Sequence, residues 1–241
     1  MYNKLFEKLF LLTISLTLLC TACVKKDPIS KIAQVLFVPL SPNAGAVDFS
    51  LNGNIVATAV GYSTTTGTFR YTLPYFSFSP NGETVISYNV NGFSTSRASV
   101  SKIIEDETVY STFLVDSANK LKAVIVADNL DEPTPGKVKL RFFNFSPNAP
   151  AIDVVIQGST SKLYSNRTFN DQLTTSSFEN FIEIDPGNYT FQFVNSANGM
   201  VLFTTTAQLL LVERIYTLAA RGFIGGTGTQ AIGAMVYPNK P

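Results

Sequence analysis

The chain has no histidine and no tryptophan, and only two cysteines among its 241 residues. Without histidine there is no Ser-His-Asp or Cys-His arrangement, no imidazole general base, and no common zinc or iron ligand set. Both cysteines, Cys20 and Cys23, lie close to the N-terminus, so the rest of the chain has neither a disulfide framework nor a thiolate metal site. No cofactor is expected, and the folded part must rest on its hydrophobic core. Charge is scarce as well, with 15% charged residues and a formal net charge of +1, so no global field recruits nucleic acid or an acidic substrate. What is abundant is β-forming: 19 Phe, 10 Tyr and frequent Val, Ile and Thr.

Strongly apolar sequence is concentrated at the start. Lys4 and Lys8 precede an almost unbroken apolar run from Leu9 to Leu19. That run is shorter than the ~20 residues a membrane-spanning helix needs and has the layout of a signal-peptide core. It closes on Leu19-Cys20-Thr21-Ala22-Cys23, which resembles a bacterial lipobox, with Cys20 standing where Leu or Val is usual. The resemblance implies that residues 1–22 are removed and that Cys23 becomes an acylated first residue holding the chain to a lipid bilayer. More than one chain at about 0.8 kcal/mol per buried methylene makes such an anchor effectively permanent. Residues 23–29 are then a short tether, which keeps the first domain close to the membrane, with the second expected further out. The expected location is the cell envelope, as an outer-membrane or cell-surface lipoprotein of a Gram-negative bacterium.

The remainder is repeated. LSPNAGAVDFSLNG, beginning at Leu40, returns as FSPNAPAIDVVIQG, beginning at Phe145. Ser41 and Ser146 are 105 positions apart, as are Asp48 and Asp153, while Tyr110 and Tyr216 are 106 apart. A spacing held to one residue near both ends of the period marks a tandem duplication. Copy one is expected over 30–128 and copy two over 137–241, joined by the proline-stiffened linker 129–136. Each copy offers seven or eight short apolar runs punctuated by turn signals such as Asn52-Gly53, Ser79-Pro80-Asn81-Gly82 and Asp185-Pro186-Gly187-Asn188. The expected fold class is all-β: two tandem immunoglobulin-like antiparallel sandwiches, a closed barrel being the alternative. Pro74 predicts an edge or bulged strand over 69–78, and Phe178 to Ile184 reads as a strand. Lys137-Val138-Lys139-Leu140-Arg141-Phe142 alternates, predicting a buried apolar face and a solvated basic one.

The motif Ser146-Pro147-Asn148-Ala149-Pro150 with Asp153, followed by Pro186-Gly187-Asn188-Tyr189 and Tyr216-Thr217, resembles a bacterial extracellular module, domain of unknown function family 4397. Copy one carries Ser41-Pro42-Asn43-Ala44 and Asp48 but has Gly45 where the second proline stands. The resemblance implies a secreted or surface-anchored β module and attaches no activity to it.

The candidate residues read first as structure. Asp48 and Asp153 follow a Pro-Asn turn, where a carboxylate fixes the turn by accepting backbone N–H bonds. Ser41 and Ser146, each before a proline (Pro42, Pro147), are turn residues rather than nucleophiles, and Asn43 and Asn148 complete the same turns. Gly225-Gly226-Thr227-Gly228-Thr229 lacks the Gly-Lys-Ser/Thr ending of a phosphate cradle and reads as a flexible hairpin loop. Asp128, Asp131 and Glu132 read as a solvated linker, with calcium the sharper alternative. Tyr71, Tyr75, Phe76, Phe78, Phe178 and Phe181 read as core rather than a sugar platform. The expected function is therefore a non-enzymatic envelope lipoprotein whose modules bind or adhere to a glycan or protein ligand. A structural subunit of an envelope assembly and a carboxylate-based glycosidase are the other two readings.

Overall fold

The computed structural model describes residues 32–62 and 75–240. Cys20, Cys23 and the tether lie outside the described residues, as do Tyr71 and Pro74. Among the described residues no helix is long and apolar enough to cross a membrane.

Copy one contributes β1 (Ala33–Pro39), β2 (Val47–Leu51), β3 (Asn54–Val60), β4 (Phe76–Phe78), β5 (Glu83–Val90), β6 (Ser96–Ile103), β7 (Val109–Val115) and β8 (Lys122–Ala127). They form two sheets in the orders β4-β1-β7-β8 and β3-β2-β5-β6. Copy two contributes β9 (Val138–Asn144), β10 (Ile152–Ile156), β11 (Lys162–Arg167), β12 (Ile182–Ile184), β13 (Gly187–Tyr189), β14 (Phe191–Asn195), β15 (Val201–Thr204), β16 (Gln208–Leu210), β17 (Ile215–Arg221) and β18 (Gly233–Lys240). Its sheets run β12-β9-β17-β18 and β11-β10-β14-β15, with β13 and β16 paired as a short ribbon. The two halves therefore repeat one topology. The first strand pairs in parallel with the strand that carries the repeated tyrosine: Phe37 faces Thr112, and Phe142 faces Leu218.

The chain is thus a pair of tandem β-sandwiches. Their strand order differs from the seven-stranded immunoglobulin layout, in which strands A, B, E and D share one sheet. Here the first and fourth strands join the last two, while the second and third join β5 and β6 in copy one and β14 and β15 in copy two. Local chemistry accounts for the hairpins. Asn52 and Gly53 both have positive φ, 48° and 81°, as a two-residue turn between twisted strands demands. The run Phe178 to Ile184 divides: Ser176–Glu179 is a 3₁₀ turn and only Ile182–Ile184 is strand, since the chain here packs over the end of β9 before reaching the sheet. Among the described residues of the Pro74 segment, Phe76–Phe78 is the edge strand β4.

Three cores result. Phe37, Phe49, Ile86 and Tyr88 fill copy one, and Phe142, Val154, Phe191 and Phe193 fill copy two, with Tyr189 half-buried beside them. The third lies between the copies: Leu36, Val38, Phe113 and Val124 meet Phe143, Phe145, Met235 and Tyr237. Ring centroids of Phe113 lie 5.6 Å from Phe143 and 4.8 Å from Phe145. Each buried Phe contributes about 1.5–3 kcal/mol by removal from water. The β1 sheet and the β9 sheet are therefore covered on both faces, and the described residues form one compact unit. The copies stand side by side, not one beyond the other. This corrects one expectation from sequence, a solvated face at the basic residue Arg141 of β9. Arg141 is fully buried because copy one's inner sheet covers it.

Candidate functional site

The repeated motif is accounted for by turns at one end of each sandwich. Ser146 Oγ donates to the Gly222 carbonyl at 2.7 Å, while Asn148 accepts from the Ile224 amide and donates to its carbonyl. In copy one Asn43 accepts from the Ala118 amide at 2.8 Å, and Ser41 Oγ is buried without a partner among the described residues. Ser146 and the two asparagines thus hold the hairpin between the last two strands. In copy two that hairpin contains the glycine-rich run, which is tied down rather than loose. It closes through Phe223 and Gln230, and a Cβ on Gly222 would stand 2.0 Å from the Ala231 carbonyl.

The aspartates do related work across strands. Asp48 accepts from the Ala59 amide (2.7 Å), the Gly92 amide (2.8 Å) and Asn91 Nδ2 (2.8 Å). Asp153 accepts from the Asn166 amide (2.7 Å) and Ser196 Oγ (2.7 Å) and pairs with Lys162 Nζ at 2.6 Å. Ala59 and Asn166 both have positive φ, 55° and 52°, where the third strand of each copy slips register against the second. Such a bulge frees an amide from the ladder, and the aspartate satisfies it. The Ala59 amide, with Asn91 and Gly92, holds the Asp48 carboxyl below the usual range. Burial raises that of Asp153, but Lys162, Asn166 and Ser196 outweigh it and the carboxyl is lowered. The expectation from sequence was a bond within each aspartate's own turn; the backbone donors are instead the bulge amides of the neighbouring strand and, for Asp48, the Gly92 amide in the turn after β5.

The linker carboxylates divide. Asp131 and Glu132 are exposed, whereas Asp128 is buried, which corrects the solvated reading for that residue. Asp128 Oδ1 accepts from the guanidinium of Arg141, and Oδ2 accepts from Ser111 Oγ at 2.7 Å and Tyr75 Oη at 3.2 Å. Arg141 also donates to Thr217 Oγ1 and lies 4.9 and 4.5 Å from the ring centroids of Phe143 and Phe181. Burial alone would lower the Arg141 pKa, but Asp128 outweighs it and raises it. Copy two also presents Arg221 to Tyr62 Oη at 2.6 Å. Arg167, within copy two, grips both oxygens of Asp171 and lies over Phe178 at 4.0 Å. Phe178 and Phe181 therefore pack on buried guanidinium groups.

Beside the Arg141–Asp128 pair a cleft of about 790 Å³ opens between the copies. Glu107 and Asp128 enter it from copy one and Asp131 from the linker, while Lys139, Glu179 and Phe181 come from copy two. Burial pushes the Glu179 carboxyl up, against the pull of Arg141 and Lys102, and neighbouring Asp128 adds to the rise. No group of three or more acidic or thiol side chains able to hold a metal occurs among the described residues. The arrangement offers hydrogen-bond acceptors and one ammonium around an aromatic ring. Sequence reading missed Glu179 and Lys139 as partners in one site, and took Phe181 as core. The available signal was the adjacent pair Phe142-Phe143, which breaks the alternation and puts an aromatic ring on each side of the strand.

No curated protein matches the chain. Among solved structures, the Bacillus anthracis TIE protein is similar over 80% of this chain and 34% of its own, with 9% identity and a TM-score of 0.22. The chain thus spans about a third of that protein's length. The family model described as "Domain of unknown function (DUF4397)" matches residues 33–155, from the start of β1 through most of β10. That is just over half of the chain, and it takes in every strand of copy one together with the Ser-Pro-Asn-Ala motif and aspartate of copy two. The chain belongs to the DUF4397 family.

Proposed function

We propose that this is a non-enzymatic cell-envelope lipoprotein, two copies of one family module anchored through acylated Cys23, which binds a hydroxyl-rich ligand of the glycan type in the cleft between the copies. The observation that carries the reading is the composition of that cleft, which both copies are needed to build. Carboxylates accept hydrogen bonds from sugar hydroxyls, Lys139 donates, and the Phe181 ring gives an apolar face to a sugar. Against Asp128 serving as one member of a catalytic carboxylate pair stands its state. Both its oxygens are already occupied, by Arg141 and by Ser111 and Tyr75, so neither is free to attack or to take a proton.

The test is glycan-array binding by the full chain, followed by titration of the best ligand against Asp131→Asn, Glu179→Gln and Phe181→Ala. Affinity is expected to fall about tenfold or more in each, the loss of one good polar or stacking contact. Unchanged affinity in all three would place the ligand elsewhere, and hydrolysis of the glycan dependent on Glu179 would replace binding with catalysis. The shared core between the copies favours one further reading, a rigid structural block in an envelope assembly. Recovery of a stoichiometric protein partner from detergent-solubilised envelopes, with no glycan bound, would favour that reading.

A further inference from the structure

The side-by-side packing gives the molecule two distinct ends. The first described residue, Ile32, leads into β1 at the end where β7 begins and β8 finishes, since Gln34 pairs with Val109 and Tyr110 with Ala127. Copy two points the same way: Asp128, at the foot of β8, meets Arg141 near the foot of β9, and Lys139 Nζ reaches the Asp131 carbonyl. At the opposite end Tyr62, just past β3, meets Arg221 at the top of β17.

On the foot shared with Ile32, copy two carries Leu209, Leu211 and Val212, exposed by 55%, 51% and 47%, and copy one carries Ile103, exposed by 71%. Leu211 and Val212 sit at the turn into β17, where Glu213 bonds to Lys137 at the foot of β9. The matching turn of copy one, into β7, has Glu105 and Asp106, so the apolar character of this turn belongs to copy two alone.

We infer that this foot is the membrane-facing end, and that Leu209, Leu211 and Val212 together with Ile103 rest in the surface of the bilayer to which Cys23 is anchored. The inference rests on the anchor proposed above. The occupant is decided by the chain that precedes Ile32. Nine residue steps separate it from Cys23 and reach at most about 30 Å, so the foot of β1 cannot stand far from the lipid. Presenting the other end, with exposed Phe93 and Met200, would require the tether to run back along a seven-residue strand, about 23 Å. That consumes most of its length, while presenting the foot consumes none. Exposed aliphatic side chains then lie in the headgroup boundary, where an apolar surface is favoured.

Because the chain has no tryptophan, single reporters are clean. The full acylated chain carrying Leu211→Trp, Ile103→Trp or Phe93→Trp is reconstituted into phosphatidylcholine vesicles with and without brominated acyl chains. All three positions are exposed, so folding does not depend on any one of them. Flotation of the protein with the vesicles, absent for Cys23→Ala, reads the anchor. Quenching reads the orientation: Leu211→Trp and Ile103→Trp should shift to the blue and lose most of their emission to brominated lipid, while Phe93→Trp keeps its emission. Protein that floats with its foot reporters unquenched overturns the orientation alone. Acylated protein that does not float overturns the anchor and the orientation with it.

Discussion

The two inner sheets that face each other present matching positions with different chemistry. Where copy one has Leu36 on its first strand, copy two has Arg141; Ser111 answers Thr217, and Asp128 answers Asn239. The hydroxyls keep one habit, with Ser111 donating to Asp128 and Thr217 donating to Asn239 at 2.6 Å. The charges do not, for the anion comes only from copy one and the cation only from copy two. Two identical modules meeting on this face would bring like groups together. Divergence at two positions has made the face complementary, so that one copy specifically covers the other and the cleft has a fixed geometry.

Breaking that complementarity is expected to have the largest effect. Asp128→Ala strands a buried guanidinium and should cost about 3–5 kcal/mol, measured as a fall in the urea midpoint of the full chain. The sharper test gives each copy its counterpart's residue. Asp128→Asn with Arg141→Leu removes both charges at once and is expected to lie within about 1–2 kcal/mol of the natural protein, well above either single variant. Strict additivity of the singles would mean that the pair is not a unit. Since the third core joins the copies, unfolding should remain one transition in the natural chain and separate into two when the pair is broken.

The same comparison shows what a sequence can carry. The repeat and most strand positions were legible, because turn chemistry and alternation are local, whereas the partners of Asp48 and Asp153 were not, since they come from other strands and turns. The burial of Asp128 and Arg141 was not, because it depends on what covers the far side of a sheet roughly a hundred residues away in the chain. Lys-Val-Lys-Leu-Arg-Phe alternates like a half-exposed strand, and only its continuation, Phe143 to Phe145, betrays the second covered face. The cleft was illegible for the same reason. Glu107 and Glu179 are brought to one place by docking, and no spacing in the chain records it.

A smaller effect separates the two bulge aspartates. Asp153→Ala frees the Asn166 amide and removes the Lys162 pair, at a cost of about 2–3 kcal/mol. Asp48→Ala should act in the same direction, but without any loss of an ion pair, so added salt should weaken the natural protein at Asp153 more than at Asp48. Both carboxyls are held below 3.8, so the stability they contribute is present above that value and is lost as pH falls through their folded-state values. Denaturation midpoints taken from pH 5 down to pH 2 should therefore fall less steeply in either variant than in the natural chain. Parallel curves would show that the carboxylates are not linked to folding.

The smallest expected effect lies on the other side of the same hydrogen bond. Ala59 and Asn166 occupy equivalent left-handed positions, but alanine is disfavoured there by about 1–2 kcal/mol, whereas asparagine tolerates the conformation. Glycine removes that strain at the expense of a more flexible unfolded chain. Ala59→Gly should therefore stabilise the protein by up to about 1 kcal/mol, and Asn166→Gly should be close to neutral or slightly destabilising. Ala59 is exposed, so no packing change confuses the comparison. A gain at Ala59 and none at Asn166, read as melting temperatures in the same buffer, would show that copy one holds its bulge against strain through Asp48. Equal shifts would mean that the residue at the bulge does not matter and that the aspartate alone sets the geometry.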